Sequence, residues 1–188
     1  MVGVKLNLGA SDDHRDGYLC VDMVPQCIKC GYMSADLRDD WPWESGSVDE
    51  ILAKDVFEHI PQVYQFFQIN QSFRWDRVRY GIIHVMNEAH RVLRPGGRLE
   101  IIVPCYPGIA PICDPTHCSW WNSDLRYYFD ERWNHAGGER GRFGRAYGIT
   151  ALFRTLPESR SGVNWRPVPY AADAPDRHKI FVVLEALK

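Results

Sequence analysis

The chain has 188 residues, 45% hydrophobic and 24% charged, which supports one domain with a substantial core and excludes disordered and fibrous classes. No apolar run reaches the ~18 residues a spanning helix needs, and MVGVKLNLGASDD has neither a basic leader region nor a cleavage site, so the expectation is a soluble, unprocessed, cytoplasmic protein. The net charge of -2 hides an asymmetry, 11 basic and 15 acidic groups over residues 1–100 against 11 and 9 over 101–188; so mild an imbalance argues against non-specific nucleic-acid binding.

In chain order, Val4–Gly9 (VKLNLG) is a β-type run that stops at a glycine, and it reads as the first strand. Tyr18–Met23, Met33–Leu37, Val48–Asp55 and Arg98–Pro104 follow as short strands, each closing on a polar, glycine or proline residue. One long helical candidate lies between Pro61 and Leu93. Ile82, Ile83, Met86, Ala89, His90 and Leu93 recur there at three- and four-residue spacing, and Pro95-Gly96-Gly97 stops the pattern. Its middle, Gln65–Tyr80, is rich in Gln, aromatics and Arg and reads as an excursion.

Beyond Pro104 the pattern turns irregular. A helix is expected at Ser123–Trp133, with Asn122 or Ser123 as its cap. Gly137–Gly148 reads as a glycine-rich loop, and Gly162–Tyr170 with His178–Leu187 as an antiparallel hairpin at a sheet edge. Arg132, Arg140, Arg142, Arg145, Arg154, Arg160 and Arg166 concentrate positive charge in this half, as a solvated surface or a contact for an anionic partner. Alternating strands with a clear crossover argue for an α/β fold with a mostly parallel sheet.

In such a sheet ligands collect at the carboxyl ends of the strands. Those ends carry Gly9-Ala10-Ser11, where glycine permits close backbone approach. Asp22 is suited to accept from two ribose hydroxyls, and Asp36-Leu37 could accept from an adenine amino group and cover its ring. After the fourth strand comes Lys54-Asp55-Val56-Phe57-Glu58-His59-Ile60-Pro61.

Together LNLGAS, VD, ADL, DEILAKDVFEHIP and EAHRVLRPGGRLEIIVP resemble the class I S-adenosylmethionine-dependent methyltransferase family over roughly residues 4–104. The resemblance implies a Rossmann-like sheet, S-adenosylmethionine as cofactor, and methyl transfer to an O, N or C nucleophile. It places the methionine moiety at Leu8, Gly9 and Ala10, the ribose at Asp22, the adenine at Asp36 and Leu37, and the transferred methyl beside Lys54 and Asp55. Only Ala10–Gly17 separates the first two strands, so a compact member with shortened first crossover helices is expected. Residues 1–188 then form a single domain, with 1–104 as the cofactor half and 105–188 as substrate-side loop, helix and edge hairpin.

Methyl transfer from a sulfonium needs an aligned nucleophile and, for some acceptors, a base. Cys113-Asp114-Pro115-Thr116-His117-Cys118 supplies an imidazole beside a carboxylate just after a strand end. His117 is the expected general base or substrate anchor, with Asp114 orienting it. Glu58 and His59 read as structural groups at a helix start. Cys27-x-x-Cys30 has the spacing of half a zinc site, with Cys20, Cys113, His117 and Cys118 as further donors. A matching second pair is missing, and six cysteines without scaffold spacing read as reduced thiols, so no metal is expected.

The acceptor is expected to be a small molecule, a nucleic acid being the less favoured partner, and no oligomeric state is indicated. Its recognition is assigned to Phe66–Tyr80 and Pro104–Tyr147, where Trp75, Trp120, Trp121 and Trp133 could stack on a planar group or serve as packing. The rival is a non-catalytic scaffold or partner-binding protein retaining the fold. A nicotinamide-dependent oxidoreductase is disfavoured because GxGxxG is absent.

Overall fold

In the computed structural model of the protein the described residues are 3–24, 31–65, 78–106, 108, 110–122, 124–134, 144, 146–159 and 179–188. Strands β1 (Val4–Leu8), β2 (Leu19–Asp22), β3 (Tyr32–Ser34), β4 (Val48–Lys54), β7 (Leu93–Pro104), β8 (Phe153–Thr155) and β9 (Lys179–Ala186) form one sheet in the order β3-β2-β1-β4-β7-β9-β8. The first five run parallel, β9 is antiparallel to β7, and β8 is antiparallel to β9. The order reverses at β1, whose neighbours are β2 and β4, which is where a doubly wound sheet opens a crevice for a ligand.

The expected mostly parallel α/β sheet with an antiparallel end is the observed one. Among the described residues the last strand pairs with β7 on one side and with Phe153–Thr155 on the other. The hairpin arm expected at Gly162–Tyr170 lies outside the described residues, as do Cys27, Cys30 and most of Gln65–Tyr80.

The helical expectation for Pro61–Leu93 is corrected. Among the described residues of that span the helix is α1 (Gly81–Val92), and it is preceded by a two-stranded antiparallel ribbon of β5 (Val63–Gln65) and β6 (Val78–Tyr80). The helix starts where apolar periodicity starts; Pro61 does not open it. Val85, Met86, Ala89 and Val92 are its buried face, one step round from the Ile82–Ile83 side of the expected stripe. Leu93 already belongs to β7, and the register shifts between its pairs Val48↔Leu93 and Glu50↔Arg98 as the strand passes Pro95-Gly96-Gly97.

Likewise Ser123–Trp133 is not one helix. A 3₁₀ turn at Leu125–Tyr128 and a short α3 (Glu131–Asn134) share it, after α2 (Ala110–Cys113). The cap position of the 3₁₀ turn is Asp124, and Asn122 instead precedes it, its Oδ1 accepting from the amides of Asp124 and Leu125 at 3.0 and 3.1 Å. Asp130 breaks the segment. Its fully buried carboxylate takes bonds from Arg132 and Thr155, and so ties the start of α3 to β8.

The crossovers from β1 to β2 and from β3 to β4 contain turns and no helix. Side chains do the work of the missing helix after β3. Trp41 and Trp43 meet edge to face at 5.9 Å, and Glu88 of α1 accepts from the Trp41 amide. Arg91 donates to the Trp41 and Trp43 carbonyls while also paired with Glu88. The loop is thereby fixed to α1, and Trp41 and Leu37 join the main core.

Candidate functional site

The residues at the strand ends build two adjoining regions. In the first, Gly9 leaves β1 at φ +63°, and an added Cβ would stand 2.5 Å from the Val56 side chain. Glycine is required here by the left-handed turn and by the close packing of Val56. The amide of Ala10 bonds to the Val21 carbonyl at 3.2 Å, and that of Ser11 to Oδ2 of Asp22 at 2.9 Å. Buried Asn7 anchors the same loop through the Asp13 carbonyl at 2.8 Å. Among the described residues the non-glycine positions with positive φ are Ser11 and Asp55. They follow β1 and β4, so the backbone strain gathers where the sheet opens.

Asp22, at the end of β2, accepts from the amides of Ser11 and, at 3.3 Å, Val24. It carries no ion pair among the described residues, so acceptor capacity remains for hydroxyl donors. Asp36 is held by the Arg38 amide and guanidinium, whose hydrogen bonds keep its carboxyl below the usual range. Leu8 and Leu37 are buried in the core, so their backbones rather than their side chains border this region. Lys54 reaches back to Asp13 at 2.9 Å, and that hydrogen bond holds its ammonium pKa up. Asp55 pairs with Lys179 of β9.

The second region is a cleft of about 260 Å³ at the carboxyl ends of β4 and β7, lined by Asp55, Glu58, His59, Pro104, Cys113, Asp114, His117 and Lys179 among others. Two motifs far apart in sequence meet here. Phe57–His59 forms a 3₁₀ turn after β4, and the Glu58 carbonyl accepts from the amides of Cys118 and Ser119 at 2.7 and 3.0 Å. The Ser119 hydroxyl donates to the Phe57 carbonyl at 3.0 Å, and Phe57 stacks on Trp121.

Asp114 shapes the turn that presents His117. Its Oδ1 accepts from the Thr116 amide at 2.8 Å and hydroxyl at 2.6 Å, which lowers its pKa. Its other oxygen lies 3.8 Å from His117 Nε2, longer than a hydrogen bond. His117 Nδ1 contacts the Pro111 carbonyl at 3.2 Å. A carbonyl can only accept, so Nδ1 carries a proton, and in the neutral ring Nε2 offers the lone pair. The same holds for His59, whose Nδ1 meets the Thr116 carbonyl at 3.3 Å and the Thr116 hydroxyl, itself donating to Asp114, at 3.1 Å. The two rings meet edge to face at 4.9 Å.

Glu58 is the residue that sequence reasoning placed wrongly. It is 2% exposed, and its Oε2 has no hydrogen-bond partner among the described residues. Burial, with Asp55 and Asp114 nearby, pushes its carboxyl up to about 8. Glu58 does stand in the first turn of a helix, the 3₁₀ turn Phe57–His59, but buried and not at the exposed start of a helix opening at Pro61. The available signal was positional: Glu58-His59 and His117 follow neighbouring strands of a parallel sheet, so their loops converge.

A second, apolar cleft of about 200 Å³ is lined by Tyr80, Ile82, Ile83, Leu125, Tyr128 and Tyr147 with neighbours. Trp120 stands exposed and stacks on Tyr106, whereas Trp121 is buried. Of the arginine group, Arg132 pairs with Asp130 and Arg154 with Glu131 and Glu185, so these two belong to the protein's own ion pairs. Arg140, Arg142, Arg145, Arg160 and Arg166 lie outside the described residues.

No protein-family model matches the chain, and no curated protein matches its sequence. Solved structures do. An S-adenosylmethionine-dependent methyltransferase from Archaeoglobus fulgidus aligns with a TM-score of 0.53 at 11% identity, covering 97% of this chain and 86% of that one. The 1,6-didemethyltoxoflavin-N1-methyltransferase of Burkholderia thailandensis, solved with 1,6-didemethyltoxoflavin and S-adenosylhomocysteine, aligns at 0.52 and 14%, covering 98% and 71%. The CurJ carbon methyltransferase aligns at 0.50 and 15%; 99% of this chain spans 49% of that one, about half its length. The chain therefore has the Rossmann-like fold of the class I methyltransferases.

Proposed function

We propose that this protein is an S-adenosylmethionine-dependent methyltransferase that acts on a small-molecule acceptor. The observation that carries the proposal is the Gly9–Ser11 turn hydrogen-bonded to Asp22 at the point where the strand order reverses, beside a cleft holding Glu58, His59 and His117. The fit to the cofactor rests on Asp22: a carboxylate fixed by two amides, free of a cation partner among the described residues, suits a ribose diol. Leu8, Gly9 and Ala10 would border the methionine moiety, Asp36 and Leu37 the adenine, and Lys54 and Asp55 the reacting end. S-adenosylmethionine, when bound, supplies a methyl group activated by its sulfonium.

The chain's own residues then have the acceptor to hold and deprotonate. His117 presents Nε2 to the cleft as base or anchor, and Asp114 fixes the turn that aims it. Burial raises the Glu58 carboxyl to about 8, so at neutral pH it is largely protonated and offers the cleft a proton or a hydrogen-bond donor. The apolar second cleft draws its aromatic walls from both segments assigned to acceptor recognition, which favours a planar, largely apolar acceptor over a polyanion. No helix among the described residues is long and apolar enough to cross a membrane, and a cytoplasmic location is part of this proposal.

Differential scanning fluorimetry with S-adenosylhomocysteine tests the reading. A ligand at 100 times its Kd stabilises by about 2.7 kcal/mol, a shift of several degrees. The wild type and His117→Ala should both shift, and Asp22→Ala should not. A wild type indifferent to the ligand would favour the scaffold.

A further inference from the structure

We infer that Glu58, His59 and His117 form a binding site for one divalent first-row cation, zinc being the best match, in the wall of the cleft between β4 and β7. One carboxylate oxygen of Glu58 and one ring nitrogen from each histidine lie within 4.8 Å of one another. Ligands ~2.0–2.2 Å from a tetrahedral zinc stand about 3.4 Å apart, so closure asks each side chain to move by about an ångström.

Three independent features point the same way. Glu58 Oε2 is buried without a hydrogen-bond partner among the described residues, a situation that a cation relieves and an apolar wall does not. Each imidazole has Nδ1 turned to a backbone carbonyl, Thr116 for His59 and Pro111 for His117. This is the outer-shell arrangement that orients a histidine ligand and exposes its Nε2 lone pair. The surrounding charge is also suitable: Asp55, Asp114 and Glu58 against Lys179, which is itself paired with Asp55.

Two nitrogens and one carboxylate oxygen are a borderline-soft set that suits zinc, and they leave a coordination position open to the cleft. In the reaction proposed above, that position would bind an acceptor hydroxyl and lower its pKa, with His117 anchoring the acceptor through the ion. This role rests on the methyltransferase reading; the binding itself does not, because it is measured without any methyl donor. Exposed Cys113 and Cys118 are nearby and Cys27-x-x-Cys30 is elsewhere in the chain, so the test must tell thiolate from imidazole.

Full-length protein stripped with a chelator is titrated with Zn²⁺ by calorimetry and with Co²⁺ by absorbance. One equivalent is expected, with visible cobalt bands and no near-ultraviolet thiolate-to-cobalt band. Glu58→Gln and His117→Ala should each weaken binding more than tenfold, and Cys113→Ser with Cys118→Ser should leave it unchanged. His59→Gln serves as a third variant if His117→Ala unfolds, judged by circular dichroism. Absence of stoichiometric binding, a thiolate band, or affinity indifferent to Glu58 and the histidines would overturn the assignment.

Discussion

Gly9→Ala offers a graded test of the turn on which the cofactor side of the site is built. Two penalties are expected at this position. A left-handed φ costs an L-residue roughly 1–2 kcal/mol, and the new methyl would stand 2.5 Å from both Cβ and Cγ2 of Val56, an overpacking worth about 1–3 kcal/mol. The sum is roughly 2–5 kcal/mol. Gly17 is the internal control: its φ is +81° but nothing among the described residues lies within 4 Å of an added Cβ, so Gly17→Ala carries the backbone cost alone. Equilibrium urea denaturation of both variants gives the difference. Combining Gly9→Ala with Val56→Gly should recover about 1–3 kcal/mol of coupling, since both clashing carbons are removed. If Gly9→Ala cost no more than Gly17→Ala, the packing of Val56 on the turn would be wrong, and with it the reason a glycine stands at the end of β1.

The Asp130 carboxyl is held at about 2, against an ordinary 3.8, by hydrogen bonds from Arg132 and Thr155 that outweigh its burial. A depressed folded-state pKa means stability that is complete above pH ~4 and lost as pH falls towards 2. The loss is about 2 kcal/mol. Asp130→Asn should remove that slope and lower the neutral-pH stability by a similar amount in chemical denaturation across pH; an unchanged slope would refute the assignment. Asn87 accepts from the amides of Thr150 and Ala151 and donates to the Gly148 carbonyl, fixing the approach to β8. Asn87→Ala should cost about 1 kcal/mol with S-adenosylhomocysteine affinity unchanged, because it removes bonds to the half-buried Ala151 amide and the exposed Thr150 amide, neither of which belongs to the cofactor side of the site. A cost below about 0.5 kcal/mol would contradict those bonds.

Most of the sheet was legible because β1, β2, β4 and β9 are short apolar runs that close on polar or turn residues, whereas Phe153–Thr155, a three-residue strand, carries too little pattern to read. The brief link from Ala10 to Gly17 announced that no full helix follows β1. Periodicity located α1 and its start, but the wider helical span from Pro61 failed, because Val63–Gln65 pairs with Val78–Tyr80, a tertiary partnership that no local window carries. Ser123–Trp133 failed for a related reason. Asp130, a polar residue on a presumed helix, is pulled into the core by Thr155 of a strand 25 residues away. In the site, Asp22 and the glycine turn were readable from strand-end position. The state of Asp36 was not, because Arg38, two residues on, occupies it. Glu58 was misjudged because local context described a capping carboxylate, while its burial depends on the Thr116–Ser119 segment folding over it.

A crystal structure of the protein with S-adenosylhomocysteine bound tests the central claim most directly. The ribose hydroxyls are predicted on the Asp22 carboxylate, with the amino-acid end beside Gly9 and the sulfur turned towards the cleft of Glu58 and His117. Adenosine bound anywhere else, or a ribose that leaves Asp22 untouched, would contradict it.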